Sequence, residues 1–89
     1  MRAIVTVVGK DRVGIIANVC TLLAQNGVNI LDISQTVLQD YFTMIMLVDT
    51  SGCSMSFDEL SKSLKTRGVE EALSIRIQRE DIFEAMHRI

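Results

Sequence analysis

The chain passes from a β-strand into an amphipathic helix within residues 3–17, AIVTVVGKDRVGIIA. Residues 3–8 are mostly β-branched and almost wholly apolar, which predicts a strand buried on both faces. Gly9 and Lys10 are expected to end that strand, and Asp11 is expected to be the N-cap of the following helix. The helix itself is predicted from apolar residues at helical spacing, namely Val13, Ile16, Ala17, Cys20, Leu23 and Ala24.

The next segments predict the end of this helix and two further strands. Gly27, in Gln25-Asn26-Gly27, is placed where a left-handed residue ends a helix. Residues 28–38 alternate with period two and one of their faces is half polar, so this strand is predicted at a sheet edge. A tight turn at Gln39-Asp40 leads to residues 41–48, whose two apolar faces predict a central strand. In the edge strand, the alternation puts Asn29, Leu31, Ile33, Gln35 and Val37 on one face.

A second helix is predicted from a complete start signal. Ser56 and Glu59 have the spacing of a capping box, and Gly68 is expected to end the helix. Alternation in residues 73–78 then predicts a second edge strand, and residues 80–89 predict a short terminal helix. The buried stripe of the second helix is predicted to contain Phe57, Leu60 and Leu64.

This order of elements predicts an α/β (α+β) sandwich of the ferredoxin-like type. Two central and two edge strands fit a βαββαβ chain whose antiparallel sheet has the order 4-1-3-2. We expect a single domain over residues 1–89, with the βαββαβ core in residues 1–79 and a C-terminal helix in residues 80–89.

Both helices of such a fold lie on the same side of the sheet, so one sheet face is left uncovered. That face carries either Met44 and Met46 or the residues that alternate with them. An uncovered apolar face in a small soluble protein predicts a second subunit. We therefore expect a homodimer, or a higher oligomer, paired by sheet faces or by sheet edges.

The composition of the chain argues against several classes of binding partner. The 89 residues carry a net charge of −2 and only 4% aromatic residues, which argues against an RNA-binding sheet and against anionic membranes. No apolar run is long enough to span a membrane, and residues 1 and 2 lead directly into a strand pattern without a signal peptide. Two cysteines form neither a disulfide framework nor a metal pattern, so we expect a reduced, cytoplasmic protein without a cofactor.

Residues for catalysis or metal binding are not grouped in the sequence. His87 is expected in the last turn of the terminal helix, Cys20 in the core, and Cys53 in an exposed loop. Asp32, Asp40 and Asp49 are far apart in the sequence, and their spacing suggests no metal site. The sequence therefore predicts a protein that is not an enzyme.

Gly14 is the informative residue of the first helix. A glycine in a helical turn costs roughly 0.5–1 kcal/mol relative to alanine, so its presence needs a reason. One reason is close packing against a neighbouring element. The other is that a ligand approaches the free backbone N–H groups of the helix N-terminus, which is a ready anion site. The spacing alone leaves both open.

The stretch from Gly9 to Ala17, followed by Gly27-Val28-Asn29-Ile30, closely resembles the ACT domain, in which the two motifs usually read Asp-Arg-Pro-Gly-Leu-Leu and Gly-Val-Asn-Ile. The chain is most similar to stand-alone ACT proteins and to the ACT halves of the glycine-cleavage regulator. Val13 departs from the pattern, since the family often has proline there. The resemblance implies an amino-acid sensor with its site at a homodimer interface.

By position, the resemblance implies a ligand site made of two segments. Asp11 and Asn29 would bond the polar ends of the ligand, and Ile30 would line the wall. The loop from Arg12 would supply backbone N–H groups near Val13, Gly14 and Ile15 for the carboxylate. An alternative is a protein interaction module that docks a protein partner and binds no metabolite.

Overall fold

A computed structural model describes residues 1–10 and 14–81 of the chain. Asp11, Arg12, Val13 and most of the predicted terminal helix, with His87, lie outside the described residues. The described elements are β1 (Arg2–Lys10), α1 (Ile15–Gln25), β2 (Asn29–Leu38), β3 (Tyr41–Asp49), α2 (Phe57–Glu70) and β4 (Ser74–Arg79).

The four strands form one antiparallel sheet in the order β2-β3-β1-β4. This is the predicted 4-1-3-2 arrangement read from the opposite edge, so the ferredoxin-like fold is confirmed. The two central strands pair from Arg2 opposite Asp49 to Lys10 opposite Tyr41. β2 and β4 are the two edges, as their half-polar alternation predicted.

The helices cover one face of the sheet, and the core lies between the two layers. Met44 and Met46 are completely buried there, so the predicted uncovered face is the one that alternates with them. The residues that fill the core from the sheet and the helices include Val5, Val7, Met44, Met46, Val19, Leu23, Leu60 and Leu64.

The other side of the sheet, which we call the open face, has no covering layer among the described residues. The expectation that β1 is buried on both faces is therefore wrong for the single chain: Ile4 and Thr6 are half-buried and Val8 is exposed. The open face consists of Ile4, Thr6 and Val8 of β1, Thr43, Ile45 and Leu47 of β3, Asp32, Ser34 and Thr36 of β2, and Ser74, Arg76 and Gln78 of β4.

The first strand continues through the residues that were expected to end it. Gly9 pairs with Phe42 and is buried in the sheet. A Cβ on Gly9 would meet the Leu73 side chain. The glycine thus makes room for Leu73 within the strand and does not break it.

The start of α1 also differs from the prediction. Asp11 is not the N-cap, because the helix begins at Ile15 with Gly14 as its N-cap. The helix end is as predicted: Gly27 has φ 78°, and its N–H donates to the Ala24 carbonyl oxygen at 3.0 Å. The Val28 N–H reaches the Leu23 carbonyl oxygen at 2.9 Å, which completes a Schellman motif.

The buried stripe of α1 is rotated from the predicted one. Ala17 and Ala24 are exposed, whereas Val19 and Leu22 are buried beside Leu23. Burying the larger side chains removes more apolar surface from water, and alanine contributes little to the choice of face. The predicted stripe was wrong because it gave alanines at helical spacing the same weight as the larger apolar residues.

In α2 the predicted start is confirmed and the predicted end is wrong. The Ser56 hydroxyl accepts from the Glu59 N–H at 3.2 Å and the Glu59 carboxylate accepts from the Ser56 N–H at 3.2 Å. The helix continues past Gly68 to Glu70, because Ala72, at φ 57°, takes the left-handed position. Gly68 is instead buried, and a Cβ there would lie 2.8 Å from the Leu73 carbonyl oxygen.

The predicted period-two alternation fails at one point in β2. The register shifts between Ile30 and Asp32, which makes Leu31 an extra residue of the edge strand. Ile30 therefore faces the helix side with Ile33, and Asp32 faces the open side. Bulges of this kind are frequent at sheet edges, and no periodic pattern predicts their position.

Candidate functional site

Among the described residues, no side chain caps the N-terminus of α1. Its N-cap, Gly14, has φ 91°, and its carbonyl oxygen accepts from the Asn18 N–H at 2.9 Å in the first intrahelical bond. The backbone N–H groups of Ile15, Ile16 and Ala17 have no intrahelical acceptor because they precede that bond. With the positive end of the helix dipole, these N–H groups can receive an anion.

The surroundings of Gly14 distinguish between the two reasons for its presence. No neighbouring group of the described residues lies within 4 Å of the position where a Cβ would stand. Close packing is therefore not supported in the described part of the chain. The left-handed φ is itself a reason for glycine, and the open space beside the helix end is compatible with a ligand. No acidic residue in the first turn of α1 competes for the N–H groups.

Asn29 and Ile30 form the start of β2. Asn29 is exposed and lies opposite Asp49, and Ile30 is half-buried against the core, opposite Val48. The side-chain amide of Asn29 is therefore accessible to a ligand that arrives from solvent. Ile30 can line an apolar wall of the same site.

Within one chain, these two parts of the predicted site lie at opposite ends of the sheet. Gly14 follows the end of β1 at Lys10, whereas Asn29 lies at the end where Asp49 pairs with Arg2. α1 connects the two ends, and its 11 residues span about 16 Å. The chain alone therefore does not bring Gly14 and Asn29 together.

A carboxylate that the sequence reading did not assign to the site stands beside Asn29. Asp49 accepts from the Ser51 hydroxyl at 2.6 Å and from the Ser51 N–H at 2.9 Å, and the N-terminal ammonium lies 3.6 Å away. Hydrogen bonds from Ser51 hold the pKa of Asp49 below its ordinary value. These bonds form a turn in which the Asp49 side chain accepts from the backbone two residues later. The sequence signal for such a turn is an Asp followed two residues later by Ser.

The cysteines show no activated environment. Burial raises the pKa of the Cys20 thiol, which disfavours the thiolate form that a nucleophile needs. Cys53 is half-buried against the core, so its predicted exposed position is wrong. In residues 1–10 and 14–81, no three His, Cys, Asp or Glu side chains are grouped so that they could hold a metal ion.

The clefts of the described residues lie away from Gly14 and Asn29. One cleft of about 180 Å³ lies between the two helices and is lined by Asn18, Thr21, Leu22, Gln25 and Arg67. Two further clefts, of about 370 and 320 Å³, adjoin the outer edge of β4. A closed pocket around Gly14 or Asn29 is thus not among these clefts.

The fold and the uncapped helix end define the class: a small ferredoxin-like α/β sandwich with a potential anion site at the start of its first helix. The sequence profile of the ACT domain matches residues 2–78. The chain therefore belongs to the ACT domain family, whose members are commonly regulatory domains that bind small molecules.

Relatives of similar length extend the match over the whole chain. A UPF0237 protein of Clostridium acetobutylicum is 54% identical over 89 residues, which is 100% of both chains. A UPF0237 protein of Neisseria meningitidis is 53% identical over 87 residues, covering 98% of this chain and 97% of that one.

Solved structures agree with this family. An ACT domain protein from Streptococcus pneumoniae has a TM-score of 0.83 and 47% identity, with 98% of each chain covered. A putative glycine cleavage system transcriptional repressor has a TM-score of 0.73 and 28% identity, over 86% of this chain and 44% of that one. Among the described residues, no helix has the length and apolar character needed to cross a membrane.

Proposed function

We propose that this protein is a non-enzymatic regulatory domain that binds an amino acid, or a similar small metabolite, at a homodimer interface. The observation that carries the proposal is the start of α1, where no side chain of residues 1–10 and 14–81 caps the helix and none of their atoms lies within 4 Å of a Cβ on Gly14. Membership of the ACT family supports the same class of ligand. A reduced, cytoplasmic setting suits two free cysteines.

The proposed site matches both ends of an amino acid. Its carboxylate accepts from the N–H groups at the start of α1, near Gly14 and Ile15. Its ammonium group needs acceptors, which the Asn29 side-chain oxygen supplies and the neighbouring Asp49 carboxylate reinforces. Asp11, Arg12 and Val13 belong to the same loop in sequence.

A second copy of the chain supplies the missing half of the site. Gly14 and Asn29 lie at opposite ends of one sheet, and an interface that reverses the direction of β2 would bring Gly14 of one copy towards Asn29 of the other. Antiparallel pairing of two β2 edges about a two-fold axis places Asn29 of the partner subunit beside Leu38. That is the end of the sheet from which the chain leaves β1 for Gly14. The result is one continuous eight-stranded sheet with two ligand sites.

The edge formed by β2 suits this pairing. It has 10 residues, of which only Asp32 is charged. Val37 is 63% exposed, and Leu31 and Ile33 are also exposed on this strand. A long, nearly uncharged edge strand with exposed apolar side chains is a template for pairing with another chain.

The alternative function is an interaction module that binds no metabolite. The observation that favours it is the position of the clefts, which are lined by other residues than Gly14 and Asn29. Under this alternative the same dimer forms and carries no small ligand.

The experiment that separates the two functions is a thermal-shift screen of the standard amino acids, followed by calorimetric titration of the best one. A ligand that binds only the folded state raises the unfolding temperature, by an amount that grows with its concentration. Gly14→Asn keeps a residue that tolerates a left-handed backbone but places a side chain beside the free N–H groups. We expect this variant to bind at least about tenfold more weakly.

The matched control is Thr21→Asn, on an exposed position of the same helix away from its start. We expect this variant to bind like the wild type. If no amino acid stabilises the wild-type protein even at millimolar concentration, amino-acid binding is wrong and the interaction module is favoured.

A further inference from the structure

A groove runs along the outer side of β4, which is the edge strand on the other side of the sheet from β2. One part, of about 370 Å³, lies between Ser61 and Lys65 of α2 and residues 75–78. A second part, of about 320 Å³, shares Lys65 and continues past Val69, which is 82% exposed. We call the two parts together the β4 groove. Its walls are therefore one face of α2 and the edge strand itself.

The outer backbone edge of β4 borders this groove. β4 pairs with β1 on one side and with no other described strand. About half of the N–H and C=O groups of its six residues therefore point outward, since an antiparallel strand alternates the direction of its hydrogen bonds. An extended segment laid in the groove can bond these groups and extend the sheet.

The charge of the groove is positive although the whole chain has a net charge of −2. Lys65 stands on the helix side and Arg76 on the open-face side of the edge, and no carboxylate lines either part. Neither cation makes an ion pair within residues 1–10 and 14–81. The groove therefore presents one cation on each side of the strand edge, and neither has a carboxylate partner among the described residues.

This charge distribution selects the partner. A second copy of β4 laid in this groove would bring another Arg76 and Lys65 towards the first two cations, and like charges on neighbouring strands are unfavourable. The edge thus resists self-pairing, in contrast to β2 with its single charged residue. A segment that carries carboxylates meets Lys65 and Arg76 with the opposite charge.

We propose that the β4 groove binds an extended, acidic segment of a partner protein, which adds to the sheet as a further strand. The two edges would then have separate partners: β2 pairs with a second copy, and β4, which pairs with no described strand except β1, lies at each outer edge of that assembly. This inference does not depend on ligand binding. It gives a regulatory domain a surface through which to contact another protein.

The test uses the full chain labelled with nitrogen-15 and a blocked hexapeptide of alternating valine and glutamate. We expect saturable binding, with amide shifts confined to β4 and to the face of α2 that carries Ser61, Lys65 and Val69. We also expect slower hydrogen exchange of the outward β4 amides. Because the attraction is electrostatic at an exposed site, raising the ionic strength to about 1 M should weaken it.

Charge reversal gives the decisive comparison. In the double variant Lys65→Glu and Arg76→Glu, we expect the affinity for the acidic peptide to fall at least about tenfold and a lysine-containing peptide to bind instead. The matched control Lys62→Glu makes the same change of charge on α2 outside the groove, and it should alter the affinity less than about twofold.

Three results would overturn the inference. They are the absence of saturable binding at millimolar peptide, shifts centred on β2 or the open face, and an equal loss of affinity in Lys62→Glu. Lys65, Arg76 and Lys62 are exposed, so these substitutions leave the core intact, and a far-ultraviolet spectrum checks each variant.

Discussion

Gly27 and Gly52 face each other at so short a distance that neither position has room for a side chain. A Cβ on Gly27 would meet the Gly52 carbonyl oxygen, and a Cβ on Gly52 would lie 2.9 Å from the Gly27 carbonyl oxygen. This contact joins the end of α1 to the loop that follows β3. It therefore fixes where β2, and with it Asn29, begins.

Gly27→Ala should destabilise the fold more than a substitution at Gly14. Both glycines have positive φ, so alanine costs about 1–2 kcal/mol at either position. Only Gly27 adds a collision with backbone, because nothing described lies within 4 Å of a Cβ on Gly14. Denaturant unfolding of Gly27→Ala and Gly14→Ala measures the difference. Equal losses of unfolding free energy would contradict the close contact.

Ala72→Gly should stabilise the protein. Ala72 has φ 57° at the end of α2, where the Leu73 N–H donates to the Gly68 carbonyl oxygen at 2.7 Å. Glycine removes the left-handed strain of about 1–2 kcal/mol. Part of this gain is lost, because glycine makes the unfolded chain more flexible and so raises the entropy cost of folding. We expect the free energy of unfolding to rise by about 0.5–1 kcal/mol. In the control Ala17→Gly, inside α1, it should fall by a similar amount.

The pH dependence of stability should respond to Ser51. Its hydrogen bonds lower the pKa of Asp49 in the folded state, so the stabilisation is present above the unfolded-state pKa and is lost as pH falls through the folded-state pKa. Ser51→Ala should raise the pKa of Asp49, and carbon-13 titration of its carboxyl group measures the change. Acid unfolding of the variant should begin at a higher pH. An unchanged titration would contradict the assignment.

Pairing through the β2 edge should be lost in Val37→Glu. Val37 is 63% exposed in the single chain, so the change leaves folding intact and places two carboxylates in the paired edge. Light scattering should then report monomers. The comparison is Ile45→Glu on the open face, where a 40% exposed side chain is changed in the same way and the dimer should persist. Dissociation by Ile45→Glu alone would assign the interface to the open face.

Local signals predicted much of this fold. The capping box of Ser56 and Glu59 and the Schellman end at Gly27 need only neighbours in sequence, and both were predicted. The strand order followed from which strands are apolar on both sides.

Several errors come from contacts that a local pattern does not reveal. Gly9 and Gly68 looked like stops, but each makes room for Leu73, a residue far from Gly9 in sequence. The bulge at Leu31 depends on the register of β2 with β3.

The candidate site could be predicted only as two sequence segments. The family resemblance selected Gly14 and Asn29, and no pattern revealed that one chain holds them at opposite ends of its sheet. Asp49 was not assigned to the site, because its place there comes from lying directly opposite Asn29 on the neighbouring strand.

A site shared between subunits can be tested by mixing two defective variants. Gly14→Asn and Asn29→Ala each impair every site of their own homodimers. In a mixed dimer, the wild-type Gly14 of one chain meets the wild-type Asn29 of the other, so one of its two sites is intact. Calorimetric titration of an equimolar, re-equilibrated mixture with the best amino acid should recover about one quarter of the wild-type sites at wild-type affinity. A mixture that binds no better than either variant alone would contradict the shared site.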